Sequence, residues 1–184
     1  MKKMSEKLIN EDVSRILNEF DTKSFKDVSI LVTGGAGFIG SWLCDVLVKA
    51  GARVTCLDNF STGLNENIMH LLNERGFKLI KQDVESLDDT VGKFDFILHL
   101  ASRASPEEHQ QHPIEAMRVS SLGSFRVVEQ ALKSNATVLF TSTSEVYGDA
   151  QLVPTQESYW GNVNPVGPRS GYDEGKRFAE ALFI

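Results

Sequence analysis

The sequence predicts an α/β fold built on a doubly wound parallel sheet with helices on both faces. Three observations carry that prediction. From Val28 onward, short apolar runs alternate with stretches of helical periodicity. The first of these runs is nearly continuous in apolar residues, as expected of a strand covered on both faces. A cluster of glycines joins it to the first helical stretch, where such folds make their sharpest turn.

The elements follow in order. Leu8–Phe20 places Leu8, Ile9, Val13, Ile16, Leu17 and Phe20 on one helical face, expected to dock on its own domain or on a partner. Val28–Thr33 reads as a buried strand. Phe38–Ala50 reads as a helix stopped by Gly51. Arg53–Leu57 is a second strand, Asn65–Arg75 a second helix ended by Gly76, and Phe77–Lys81 a third strand. Phe94–Leu100 is a fourth strand. Pro113 is placed to open a long helix running to about Ser134. Thr137–Thr141 is a fifth strand, Gly148–Arg169 a Pro-, Gly- and Asn-rich loop, and Gly171–Ile184 a final helix.

Composition bounds the function. With 184 residues, 41% hydrophobic and 24% charged, the chain has the size of one domain, or one and a fragment, and the make-up of a globular protein. Disordered, collagen-like and disulfide-scaffold classes are excluded. A net charge of −6 with scattered basic residues argues against a nucleic-acid surface or a polybasic membrane patch. The longest uncharged stretch, Val28–Cys44, is interrupted by glycines and is no spanning helix. Lys2 and Lys3 have no apolar run behind them, so no signal peptide is expected. Cys44 and Cys56 lie in apolar segments without metal-ligand spacing. The expectation is buried, reduced thiols of a cytoplasmic protein, and no metal.

The turn Thr33–Gly40 carries the first chemistry. Gly34 permits the bend, Gly37 lets backbone approach a pyrophosphate, and Gly40 lets the helix pack close to the strand. The N–H groups at Phe38, Ile39 and Gly40 then face the anion, helped by the helix dipole. Asp58 ends the second strand, where a carboxylate accepts hydrogen bonds from both ribose hydroxyls and repels a 2′-phosphate. This Rossmann-like arrangement predicts NAD rather than NADP. Asn59, Phe60, Ser61, Thr62 and Gly63 continue at the adenosine rim. Asp83 and Val84 end the third strand, where they meet the adenine or simply terminate the strand.

The second chemistry lies downstream. Thr143, Ser144 and Glu145 follow the fifth strand, and Tyr172 and Lys176 are four residues apart on one face of the last helix. A lysine ammonium beside the phenol, with the positive nicotinamide ring, should lower its pKa, so that the phenolate can take a hydroxyl proton while Thr143 holds the same substrate oxygen. Glu145 at the carboxyl edge of the sheet is a general acid/base or a solvated strand end.

Together these residues resemble the extended short-chain dehydrogenase/reductase superfamily, and more closely the UDP-glucuronate decarboxylases. The matching text is TGGAGFIGSWLCDVL (33–47), LDNFSTG (57–63), HLASRASP (99–106), TSTSEVYGD (141–149) and YWGNVNPVGPRSGYDEGKR (159–177). The resemblance covers about Val28 to Ile184, leaving residues 1–27 as an N-terminal extension and 28–184 as the NAD-binding domain. It implies oxidation of C4 of UDP-glucuronate, loss of the C6 carboxylate as CO2, and re-reduction to UDP-xylose. Tyr172 would be the base, Lys176 its tuner and ribose ligand, and Thr143 the hydroxyl partner. Glu145 would handle protons or place the ring, with Ser144 alongside, and Leu100, Ala101, Ser102 and Ser120 would line the coenzyme.

Related 4,6-dehydratases carry Asp-Glu where Ser144-Glu145 stand, and 4-epimerases lack a counterpart of Glu145, so the pair favours decarboxylation. A 4-epimerase, a 4,6-dehydratase, an oxidative decarboxylase and a non-catalytic NAD-binding module remain the alternatives. Ser102, Arg103, His109 and Ser120 depart from the family pattern. The resemblance also implies further sheet and a small sugar-nucleotide lobe after Ile184. The expectation is therefore a chain truncated before that lobe, with weakened NAD binding and negligible turnover. It further implies a homodimer through helices 113–134 and 171–184.

Overall fold

The computed structural model describes residues 2–184. Its sheet is five-stranded and wholly parallel, in the order β3-β2-β1-β4-β5. The strands are β1 (Ser29–Thr33), β2 (Arg53–Asp58), β3 (Phe77–Lys81), β4 (Phe96–His99) and β5 (Thr137–Phe140). The order reverses between β1 and β4, so the chain leaves these neighbours toward opposite sides and opens a crevice at their carboxyl ends. In register, Thr33 lies between Leu57 and His99 at the floor of that crevice.

Successive residues of β1 feed opposite faces. Ile30 and Val32 join a core with Ala36, Cys44 and Cys56, covered by α2 (Phe38–Lys49). Leu31 joins the other core, with Leu57, Ile97 and Val127, covered by α5 (Ser124–Ser134). Two-sided burial explains why the strand reads as an unbroken apolar run. Cys44 and Cys56 are both buried and unpaired.

The N-terminal helix α1 (Lys2–Glu19) packs on α2, with Val13 buried beneath it. Only part of the expected apolar stripe is used. Ile9, Ile16 and Leu17 are half-buried, whereas Leu8 and Phe20 stay exposed. Under the same edge, His70 Nε2 lies 2.6 Å from Asp45 Oδ1.

Three local expectations are corrected. Asn65–Arg75 is not a helix but two 3-10 turns, Asn65–Asn67 and Met69–Leu71, followed by further turns. The backbone N–H of Leu64 and the side-chain amide of Asn67 both donate to the Ala36 carbonyl, pulling the segment onto the glycine turn. Ile68 and Leu71 are buried there, and tertiary contacts override the helical pattern. Between β4 and the long helix, α3 (Pro106–Gln111) forms unannounced, with Ser105 capping the Glu108 N–H and Pro106 in its first turn. The long helix itself is α4 (Pro113–Arg118) and α5 joined by a π-helical turn, Val119–Gly123. A Cβ at Gly123 would meet Val84 Cγ1 at 2.8 Å, so the turn passes close over the end of β3. The last helix, α6 (Ser170–Phe183), lies along α4 and this π turn.

Candidate active site

The glycine turn is built by close approach. Gly34 has φ +72°, and a Cβ there would lie 2.8 Å from the Ala101 backbone. A Cβ on Gly40 would lie 2.2 Å from the Gly34 carbonyl oxygen, so α2 can begin this near the strand only with glycine. Gly37 is the N-cap of α2, and Phe38 and Ile39 supply N–H groups with no acceptor inside the helix. Their side chains are exposed at the cleft edge.

Asp58 is buried and clamps this loop. Its Oδ2 accepts from the Ala36 N–H at 2.9 Å and its Oδ1 from the Phe60 N–H at 2.8 Å. Gly63 presses against it, since a Cβ there would lie 2.9 Å from Asp58 Oδ1. Asp83 takes the side-chain amide of Asn59 at 2.8 Å and caps the following turn through the Glu85 N–H. It is at once a strand terminator and a wall of the cleft.

One end of the cleft is lined by Asp58, Asn59, Ser61, Thr62, Gly63, Asp83, Val84 and Ala101. The other is lined by Phe38, Ile39, Gly40, Ser142, Tyr172 and Lys176. Gly34, Gly37, Leu100 and Ser102 border both ends, as do Ser61 and Thr62. Two expected residues do not reach it. Phe60, at φ +60°, packs on the apolar core with Lys81 over its ring, because the clamp on its N–H turns the chain there. Ser120 is buried against Gly175, whose added Cβ would sit 2.9 Å from Ser120 Cβ, and its hydroxyl has no partner.

Tyr172 is 5% exposed and Lys176 3% exposed. The expected lowering of the phenol by the ammonium is corrected. Burial is the dominant influence and pushes the Tyr172 phenol up, with Glu145 and Asp173 adding to it. The Thr143 and Ser102 hydroxyls beside it pull the other way, although Ser102 Oγ meets no partner at hydrogen-bond geometry. Lys176 Nζ instead donates to the Thr141 carbonyl at 2.8 Å and lies 4.7 Å from the Phe140 ring centroid. Burial brings its pKa down to about 8.

Thr143 caps the turn Ser144–Tyr147 and donates to Glu145 Oε2. Arg169 reaches Glu145 Oε1 at 3.0 Å. The Thr143 hydroxyl, and with it Arg169, holds the Glu145 carboxyl below its usual range despite burial. Glu145 is thus an ionised acceptor, and it lines a second cleft with Ser144, Tyr147, Asn162, Asn164, Arg169 and Asp173. Sequence reasoning missed Arg169 and Asp173, although one precedes the Tyr-Lys pair by three residues and the other lies within it.

Fold and cleft define a Rossmann-type dinucleotide-binding domain of the short-chain dehydrogenase/reductase class, carrying its Tyr and Lys on the helix after β5. The chain belongs to the NAD dependent epimerase/dehydratase family, whose model matches residues 30–184. It is 44% identical over 168 residues to UDP-glucuronic acid decarboxylase 1 of Danio rerio, spanning 91% of this chain and 38% of that protein. It is 46% identical over 157 residues to UDP-glucuronic acid decarboxylase 1 of Arabidopsis thaliana, spanning 85% of this chain and 36% of that protein. The chain therefore spans well under half the length of these relatives.

Among solved structures, it resembles the UDP-N-acetylglucosamine 4-epimerase of Methanobrevibacter ruminantium, with TM-score 0.74 and 32% identity, covering 85% of this chain and 49% of that one. It also resembles WbmG of Bordetella bronchiseptica, solved with NAD and UDP, with TM-score 0.74 and 25% identity, covering 86% and 50%. Among the described residues, no cluster of His, Cys, Asp or Glu could hold a metal, and no helix is long and apolar enough to cross a membrane.

Proposed function

We propose that this chain is the NAD-binding and proton-transferring portion of a UDP-glucuronate decarboxylase that forms UDP-xylose and CO2. The observation that carries the reading is the meeting of Tyr172, Thr143 and an ionised Glu145 after β5, with Tyr172 lining the cleft that the glycine turn opens. The close approaches at Gly34 and Gly40 and the loop clamped by Asp58 suit a pyrophosphate and a ribose diol. Asp58 disfavours a 2′-phosphate, hence NAD over NADP. A bound NAD+ would supply reversible hydride acceptance for C4 of the sugar.

Every other part falls to the protein. Tyr172 accepts the C4 hydroxyl proton and gives it back on re-reduction. Its raised pKa makes it a phenol at rest, so its own proton must first pass to solvent, an ionisation that the positive charges of the nicotinamide and Lys176 would favour. Lys176 holds that charge at the carbonyl of Thr141, and it would hold the nicotinamide ribose when the coenzyme binds. Thr143 places its hydroxyl between the phenol and Glu145. Once C4 is a ketone, the C6 carboxylate is β to a carbonyl, and its C–C bonding pair delocalises onto the new oxygen as CO2 departs. Glu145 relays the proton that returns to C5. Ser144 has no acid proton to give a departing hydroxyl, which favours decarboxylation over 4,6-dehydration.

The same reading takes residues 28–184 as the coenzyme unit, with residues 1–27 an extension on α2, in a cytoplasmic enzyme whose thiols stay reduced. It assigns a homodimer to helices 113–134 and 171–184, where Ile114, Met117, Phe125 and Phe178 leave an exposed apolar face. Titration calorimetry with NAD+ on this chain tests the coenzyme half. Release of CO2 from UDP-glucuronate, with mass spectrometry of the product, tests the chemistry in the chain completed by the region its relatives carry. A 4-epimerised product without CO2 would replace this reading with that of the structural neighbours.

A further inference from the structure

His109 on α3 is 2% exposed, and its imidazole lies flat on the phenol ring of Tyr172, with centroids 4.7 Å and planes 8° apart. Its Nδ1 is buried with no hydrogen-bond partner. Beside it, Asp173 Oδ1 and Arg169 Nε are also buried without a hydrogen bond, paired only as a long ion pair at 3.9 Å. The Thr143 and Ser102 hydroxyls lie near the phenolic oxygen, but a contact at that oxygen leaves the ring free to swing about its bond to Cβ. A flat partner on one face removes that freedom and keeps water off the ring.

The charged groups around the imidazole come from three elements. Arg169 and Asp173 flank it from the start of α6, Glu145 from the turn after β5, and Arg103 is occupied with Glu108 next to His109. Burial, then Arg169, holds the imidazole below its usual range, against the pull of Asp173 and Glu145. A neutral ring therefore forms the stack. A protonated one has an N–H and a charge to satisfy, and the Asp173 oxygen, which accepts no hydrogen bond, is the acceptor beside it.

We propose that His109 is a positioning residue for Tyr172: its neutral imidazole clamps the phenol in the reactive rotamer and keeps it dry, and in acid it leaves the stack for Asp173. The inference rests on Tyr172 as the proton carrier of the proposed reaction, but its test needs no turnover.

Tyrosinate formation in this chain is followed by ultraviolet absorbance, with Tyr172→Phe assigning the contribution of Tyr172 among the three tyrosines. His109→Ala uncovers the ring and should bring Tyr172 ionisation down by about one pH unit, tenfold in its constant. His109→Phe keeps a flat cover and should leave it at the wild-type position. Equal titration in the Ala variant and wild type, with both folded by circular dichroism, would overturn the proposal, as would failure of Phe to restore it. In wild type, the His109 ring protons should show an upfield ring-current shift at neutral pH that disappears as the imidazole protonates. Persistence of that shift through its titration would rule out the acid release. Absence of CO2 release in the completed enzyme would count against the proposed function and leave the titration result standing.

Discussion

Acid should weaken this fold through one buried histidine at the floor of the coenzyme crevice. His99 Nδ1 lies 2.8 Å from Thr33 Oγ1, and its Nε2 lies 3.2 Å from Ser124 Oγ. Thr33 Oγ1 also accepts from the Ala101 N–H, so its own proton goes to Nδ1, leaving Nε2–H to donate to Ser124. The imidazole thus ties β1 and the loop after β4 to α5, and it is neutral. Burial takes its pKa down from 6.5 to about 3, with the Lys176 charge adding to the shift. In the unfolded chain His99 binds a proton near its ordinary pKa, so between 6.5 and about 3 the unfolded state holds the extra proton and stability falls with pH. At pH 5 the loss from this residue is about 2 kcal/mol, from roughly 1.4 kcal/mol per pH unit below 6.5. Urea unfolding at pH 7 and pH 5 measures the total. His99→Asn should be less stable at both pH values but should lose about 2 kcal/mol less between them. Equal losses in variant and wild type, or an NMR titration of His99 near 6.5, would refute the argument.

Gly40→Ala should lower NAD affinity at least tenfold by calorimetry, since its Cβ would stand 2.2 Å from a backbone oxygen of the phosphate turn. Lys176→Met should abolish turnover of the completed enzyme, yet leave thermal stability equal or higher. Its ammonium, with pKa brought down to about 8 from 10.5, costs roughly 3 kcal/mol at pH 7, offset by about 1 kcal/mol for the lost bond to Thr141. For the same reason, wild-type stability attributable to Lys176 should rise between pH 8 and 10.5, where the unfolded chain still holds the proton, and denaturation of wild type and variant across that range checks the sign. Glu145→Gln should leave NAD binding unchanged in calorimetry while suppressing CO2 release.

The sheet, the glycine turn and the Tyr-Lys helix were legible because each rests on local spacing. Continuous apolar runs mark strands buried on both sides, glycines mark close approach, and a four-residue interval marks one helix face. The apolar spacing of the segment after Gly63 suits a helix, but its backbone N–H groups close tighter three-residue turns on its own carbonyls, while Leu64 and the Asn67 amide tether it to the Ala36 carbonyl. α3 carried a readable start, Ser105-Pro106 followed by Glu108, but its six residues are too few for periodicity to register.

By itself the sequence determined an α/β domain with a dinucleotide turn, an acid after the second strand, and a phenol and an amine on one helix. Those features follow from backbone sterics and periodicity, which act between near neighbours in the chain. Tertiary structure alone decided the charge states and partners. It raised the phenol rather than lowering it and turned Lys176 onto the Thr141 carbonyl. It set Arg169 against Glu145 and laid His109 on Tyr172. Desolvation and electrostatic pairing depend on which distant residues exclude water from a group, and that is known only once the chain has closed around it.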